Sequence, residues 1–197
     1  TPTRGLTFRV EKNLYQEKSR YQILDIVETQ DFGLVMLLDG VIMVTEKDEF
    51  VYHEMLAHPA LFTHPKPEKV LIIGGGDGGT LTRVLQHPEV RQAVLVEIDE
   101  MVVNASRKFF PFLAAAFDDP RAEVRIEDGI AFLKSKEAEF DVILIDSTDP
   151  VGPAAGLFRK EFYADCYKAL KEEGILTIQS ESPWIPDLQP VIRQANA

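Results

Sequence analysis

The chain is poor in cysteine, in basic residues and in long apolar runs. One cysteine, Cys166, stands among 197 residues, so no intrachain disulfide can form. That usage suits a reducing compartment. No apolar run approaches the roughly 18 residues that a membrane-spanning helix needs. The first residues lack the charged-then-apolar pattern of a signal peptide. Together these absences favour the cytoplasm, with no membrane partner. Lys and Arg number 21 against 32 Asp and Glu, giving a net charge of −11. A shortage of base speaks against a nucleic-acid partner. The acidic excess either steers cationic substrates or serves solubility. Only four histidines occur. His53 and His58 lie five apart, on different faces of a helix, so the H-E-x-x-H metal pattern is absent. No repeat, low-complexity tract or Ser-His-Asp grouping is evident. The chain begins at Thr1 and not at Met, so a trimmed or partial chain is expected.

What is present reads as two regions. Leu6, Phe8 and Val10 alternate with polar neighbours. Tyr21–Thr29 and Leu34–Leu38 are strand-like, and Val41–Val44 follows the hairpin dipeptide Asp39-Gly40. Glu49–Leu61 changes to a helical period, and His64-Pro65-Lys66-Pro67 punctuates it. This divides the chain into a β-rich unit, 1–62, and a second unit, 63–197. In the second, strands over Val70–Ile73, Ala93–Glu97, Glu123–Glu127, Asp141–Ile145 and Ile175–Gln179 alternate with helices over Gly79–Gln86, Glu100–Phe109, Ile130–Lys136 and Phe158–Lys171. Gly174 is the expected C-cap of the last helix. The fold class is therefore α/β: a Rossmann-like, doubly wound, mostly parallel sheet with helices on both faces, preceded by a small antiparallel β domain. Cys166 and Phe109-Phe110-Pro111-Phe112 read as core.

Gly74, Gly76 and Gly79 fit G-x-G-x-x-G directly after the first parallel strand. In that motif backbone N–H groups and a helix N-terminus attract an anion. Asp77 stands inside it. Two like charges at close range repel by roughly 4 kcal/mol at an effective dielectric near 20, so the loop suits a nucleoside whose far end is a cation. In doubly wound sheets ligands lie beyond the carboxyl ends of the strands, and here each of those ends carries an acid or lies beside one. Glu97, 23 residues after Gly74, is placed to accept ribose hydroxyls. Asp128, before Gly129, either contacts an adenine or caps the following helix.

Asp146 ends an apolar strand. Desolvation there would raise its pKa and make it a better base. Asp149 follows three residues later, in a loop containing Pro150 and Pro153. Such a pair can hold an amine, one acid taking a proton and the other fixing the chain. A divalent metal, or a simple Asx-turn at Asp149, competes with that use.

Gly74–Gly79, Val96-Glu97-Ile98-Asp99, Asp146–Pro153, Leu157-Phe158, Leu38–Met43 and Asp48–Met55 together resemble the polyamine aminopropyltransferases, bacterial spermidine synthase above all. The likeness runs through nearly the whole chain. It implies decarboxylated S-adenosylmethionine as co-substrate, putrescine or a related diamine as acceptor, no prosthetic group and no metal. It also implies a homodimer or homotetramer. By the same resemblance Asp146 is the catalytic base with Tyr52 beside it. Gln22, Gly74, Gly76, Asp77, Gly79, Glu97, Asp128 and Gly129 bind the donor. His53, Asp77, Asp146, Asp149 and Gln179 bind substrate, and Asp77 holds the donor's aminopropyl amine.

Two departures stand out. Thr82-Arg83 replaces a basic-acidic pair frequent in the family, and a helix-surface effect is expected. The family pattern also continues beyond Ala197, including its last strands and an acceptor-side tyrosine, so a C-terminally incomplete chain is expected. Three other readings remain open: an S-adenosylmethionine methyltransferase on the same scaffold, such as a putrescine N-methyltransferase; an NAD-dependent oxidoreductase, which Asp77 disfavours; and a non-enzymatic dimerising or polyamine-sensing module.

Overall fold

Turn chemistry and alternation build the first sheet. The computed structural model describes residues 7–149 and 152–180. Leu6, Pro150, Val151 and Glu181 lie outside the described residues. Strands β1 (Val10–Lys18), β2 (Ile23–Thr29), β3 (Gly33–Leu38) and β4 (Val41–Thr45) form an antiparallel sheet in sequence order. Asp39 and Gly40 both take positive φ, 50° and 79°, as a two-residue hairpin between Leu38 and Val41 demands. Strand β1 starts later and runs longer than the alternation around Leu6–Val10 indicates. Its residues are mostly exposed, so its sequence carries little apolar signal. One face of the sheet buries Leu24, Ile26, Met36, Leu38 and Val44.

The second sheet is parallel, in the order β7-β6-β5-β8-β9. Its strands are β5 (Lys69–Gly74), β6 (Gln92–Glu97), β7 (Ala122–Ile126), β8 (Phe140–Asp146) and β9 (Leu170–Ile178). The helices are α1 (Glu49–Thr63), α2 (Gly79–Leu85), α3 (Glu100–Phe109), α4 (Pro111–Ala114), α5 (Gly129–Leu133) and α6 (Lys160–Ala169). Short 3-10 turns span Ala115–Asp118 and Gly152–Phe158.

Successive residues of a strand face opposite sides, so the apolar runs of the parallel strands feed two cores. Val70, Ile72, Leu95 and Leu144 pack under α1 and α2. Leu71, Ile73, Val96 and Ile145 pack under α5 and α6, with Cys166 fully buried among them. The antiparallel sheet rests on α3 and α4 through Val102, Ala105, Phe110 and Leu113. Phe110 is buried as expected of core, whereas Phe112 is about half exposed. Helix α1 gives Ala57, Ala60 and Leu61 to the parallel sheet's core, so it packs with the residues downstream of the boundary drawn after residue 62.

The end of the last helix also departs from expectation. The last helix stops at Ala169, and Leu170 adopts an extended conformation as its C-cap. Gly174 is not that cap. It lies in β9, in the irregular stretch between the Phe140–Leu170 and Val142–Ile175 pairs, where Glu173 carries the positive φ of 64°. The polar Lys171-Glu172-Glu173 stretch carries no apolar alternation to mark it as a strand.

Candidate active site

The strand order reverses between β5 and β8, and register sets the site there. Gly74 pairs with Asp146 across the two strands. The chain must turn tightly past Asp146, and Gly74 does so at φ 82°. A Cβ at that position would collide with the Asp146 carbonyl. Beyond these strand ends lies a cavity of about 350 Å3, roofed by Met36, Leu38, Ile42 and Met43 of the antiparallel sheet.

The glycine loop spends its own donors internally. Gly75 N–H bonds the Asp146 carbonyl at 2.8 Å, and Gly78 N–H bonds the Gly75 carbonyl at 2.9 Å. Gly76 N–H donates to Glu97 Oε2 at 3.2 Å. Gly79 N–H, the first helical amide, donates to Asp77 Oδ1 at 2.6 Å. Asp77 thus occupies the amide that a phosphate would take in a dinucleotide site, and the loop does not present a phosphate cradle.

Asp146 is buried at the end of β8. Its Oδ1 accepts the Tyr52 hydroxyl at 2.7 Å, and its Oδ2 accepts the Thr80 hydroxyl at 2.6 Å. Burial, together with the charge of Asp77, raises the Asp146 pKa above the ordinary carboxylate value, while His53, Thr80 and Tyr52 restrain the rise. Tyr52 is pushed well above an ordinary phenol by burial of its hydroxyl and by Asp146, so it stays a donor. Burial also works to raise the Asp77 pKa, but the nearby His53 outweighs it and the net direction is down.

Glu97 is buried and its pKa is raised to about 7, chiefly by burial, with Asp99 adding to the rise. Its Oε1 accepts the Asp99 N–H at 2.9 Å. Asp99 in turn caps α3 through Met101 N–H at 3.1 Å. It also accepts Ser19 Oγ–H at 2.6 Å and Gln22 Nε2–H at 3.0 Å. The turn after β1 is thereby tied to the start of α3, and Gln22 is held at the cavity wall. Asp128 caps α5 through Ile130 N–H at 2.8 Å, and it also lines the cavity beside Gly129. Asp149 accepts Gln179 Nε2–H at 3.4 Å, and Gln179 Oε1 is buried without a hydrogen-bond partner.

Gln22, Tyr52, Gly74, Gly76, Asp77, Glu97, Asp128, Gly129, Asp146, Asp149 and Gln179 therefore all line one cavity. Gly79 and His53 do not. Gly79 lies behind the loop, where any Cβ would strike the His53 ring. His53 is 1% exposed and stands behind Asp77, its Nε2 3.3 Å from Asp77 Oδ1 without hydrogen-bond geometry. Arg83 is not a surface residue as expected: it is 11% exposed and binds Glu49 at 2.7 Å. Thr80 carries no motif of its own, and Asp99 and Glu49, although they lie in stretches that carry the resemblance, show their site contacts only in the structure. Among the described residues no three His, Cys, Asp or Glu side chains cluster as metal ligands, and no helix is long and apolar enough to cross a membrane.

The fold and cavity define a doubly wound α/β protein whose strand-end cavity is lined by acids. Comparison with known proteins narrows this class. Residues 49–194 match the Spermine/spermidine synthase domain, and residues 1–46 match the Spermidine synthase tetramerisation domain. The chain belongs to the spermine/spermidine synthase family. It is 54% identical to a polyamine aminopropyltransferase of Bacillus mycoides over 185 residues, covering 93% of this chain and 67% of that protein. With the polyamine aminopropyltransferase of Bacillus subtilis it shares 52% identity over the same proportions. A crystal structure of a spermidine synthase in complex with the transition-state analogue AdoDATO superposes with a TM-score of 0.93 at 48% identity, over 96% of this chain and 66% of that one. The spermidine synthase of Thermotoga maritima gives 0.90 at 48% identity, over 96% and 65%. The chain thus spans about two thirds of the length of these relatives.

Proposed function

We propose that the protein is a spermidine synthase, transferring the aminopropyl group of decarboxylated S-adenosylmethionine to putrescine or a related diamine. The observation that carries this reading is the charge of the cavity wall. Asp77, Glu97, Asp128, Asp146 and Asp149 line it, and no Lys, Arg or His does among the described residues. Such a wall attracts a sulfonium donor with an ammonium tail and a diammonium acceptor. The α-carboxylate of intact S-adenosylmethionine would meet Asp77 with no basic partner.

In this reading Glu97 accepts the ribose hydroxyls, Asp128 and Gly129 meet the adenine, and Gln22 closes the donor side. Asp77 binds the donor's terminal ammonium. Asp149 and the unpaired Gln179 Oε1 receive the acceptor's far ammonium. An aliphatic amine has a pKa near 10 and arrives protonated. Asp146, made more basic by burial, takes that proton, with Tyr52 holding the carboxylate in place. The freed nitrogen lone pair then forms a bond to the carbon beside the sulfonium. The C–S bond breaks with its electron pair going to sulfur, and neutral methylthioadenosine leaves. In-line alignment of nitrogen, carbon and sulfur supplies much of the acceleration, up to ~7–11 kcal/mol. We assign the protein to the cytoplasm, acting as a homodimer or homotetramer in polyamine biosynthesis, with no prosthetic group.

The test is amine-dependent release of methylthioadenosine from decarboxylated S-adenosylmethionine across a series of diamines. Release with putrescine supports the reading, and release with no diamine overturns it.

A further inference from the structure

We propose that Arg83, Glu49 and His53 form a buried positioning chain that holds a positive charge behind Asp77 and so keeps the loop carboxylate ionised beside Asp146. The inference rests on Asp77 acting as the amine anchor. It is carried by hydrogen-bond geometry outside the cavity wall.

Glu49 opens α1, and His53 stands one turn later on the same face. Glu49 Oε2 accepts His53 Nδ1–H at 2.7 Å, while Glu49 Oε1 accepts Arg83 Nη2–H at 2.7 Å. All three side chains are nearly excluded from solvent, at 8%, 1% and 11% exposure for Glu49, His53 and Arg83. A carboxylate bound by Arg83 has no proton to give, so the proton between Glu49 and His53 belongs to Nδ1. In a neutral imidazole that leaves Nε2 as a bare lone pair. Nε2 is buried, has no hydrogen-bond partner, and lies 3.3 Å from Asp77 Oδ1. An uncharged ring would set this electron-rich nitrogen beside a carboxylate oxygen, which is unfavourable, whereas a charged ring is attracted to the carboxylate at this distance even without a well-aligned hydrogen bond. The geometry therefore calls for the doubly protonated ring.

The charges around His53 agree. Glu49 approaches from its own helix, Asp77 from the glycine loop and Asp146 from β8. Tyr52 stacks edge-on at 5.3 Å between ring centroids. Asp48 shares a second cavity with Glu49 and His53, between the antiparallel sheet and α1. Arg83 reaches the ring only through Glu49, and its other carboxylate neighbour is Glu54 at 3.9 Å. Burial works against the charged ring, but Asp77, Asp146 and Glu49 outweigh it and lift the His53 pKa to about 9. The chain separates the two neighbouring acids in role. His53 favours the charged form of Asp77, while Asp146 keeps its raised pKa and its readiness to accept a proton.

The seat also explains Gly79. The His53 ring fills the space that a Gly79 Cβ would take, so a side chain there would displace the ring from Asp77.

The test is the protonation state of His53, read by two-dimensional 15N NMR of the imidazole from pH 6 to 9 in the wild type and in Glu49→Gln. The expected wild-type ring is doubly protonated at neutral pH. In Glu49→Gln its pKa falls by about one unit or more, equivalent to a tenfold change or greater. The same variant should raise KM for the decarboxylated donor about tenfold at neutral pH while leaving methylthioadenosine affinity unchanged. A fold defect would move both together. A neutral His53 in the wild type, or a titration unmoved by Glu49→Gln, overturns the proposal. A high His53 pKa that falls in Glu49→Gln, in a protein that transfers no aminopropyl group, supports the chain and removes the functional reading instead.

Discussion

The Tyr52 hydroxyl donates to Asp146 Oδ1 at 2.7 Å, joining α1 to the end of β8 across 94 positions of sequence. A hydrogen bond to the charged form of an acid favours that form. Removing it in Tyr52→Phe should raise the Asp146 pKa further. The sign follows: the base is unprotonated only above its pKa, so the acidic limb of kcat/KM moves to higher pH. A bond to a charged group worth ~1.5–3 kcal/mol corresponds to a shift of about one to two units. A pH–rate profile checks this. An unchanged acidic limb would assign the base elsewhere.

Asp146→Asn keeps the shape and removes the basicity. Turnover should be abolished, and methylthioadenosine affinity, measured by calorimetry, should stay within about threefold of wild type, since a base contributes to the chemical step rather than to donor binding. A large loss of binding would reassign Asp146 to the donor site.

Asp77→Asn should discriminate between ligands. The decarboxylated donor should bind about tenfold or more weakly, as expected for loss of a charge-assisted hydrogen bond. Methylthioadenosine, which has no ammonium, should be little affected. Equal losses for the two ligands would remove the amine-anchor role.

Glu97 provides a pH signature for nucleoside binding. Its pKa is about 7 in the free protein, raised chiefly by burial. In the proposed role ribose hydroxyls would donate to the ionised carboxylate, so binding would draw the group into its charged form. Below pH 7 binding must therefore release a proton, and affinity should rise with pH through 7 and then level off. Calorimetry with methylthioadenosine in buffers of different ionisation enthalpy reads that proton directly. Binding at pH 6 without proton release would contradict the assignment.

Much of the parallel sheet is legible from composition and period. The runs Val70–Ile73 and Val142–Ile145 are apolar on both faces because each face meets a helix layer, and α3 occupies its expected residues, Glu100–Phe109. Asp39-Gly40 marks its hairpin because two adjacent positive φ angles are costly for other pairs. Strand β1 and the start of β9 are not legible, since exposed or irregular polar strands carry no alternation. In the site, the acids at strand ends can be read because a doubly wound sheet places strand ends together. The Arg83–Glu49–His53 chain and the Thr80 contact cannot be read, because tertiary packing alone brings α1, α2 and β8 into register. Arg83 looks like an exposed helix residue in sequence because the helix that covers it lies some thirty positions upstream.

The central claim is that an acidic cavity selects a cationic donor tail and transfers it. Its most direct measurement is a competition. The protein is given putrescine with equal concentrations of decarboxylated and intact S-adenosylmethionine, and the products are identified by mass spectrometry. The account predicts aminopropylated putrescine and methylthioadenosine, with intact S-adenosylmethionine left unconsumed. Methylated putrescine with S-adenosylhomocysteine would contradict it.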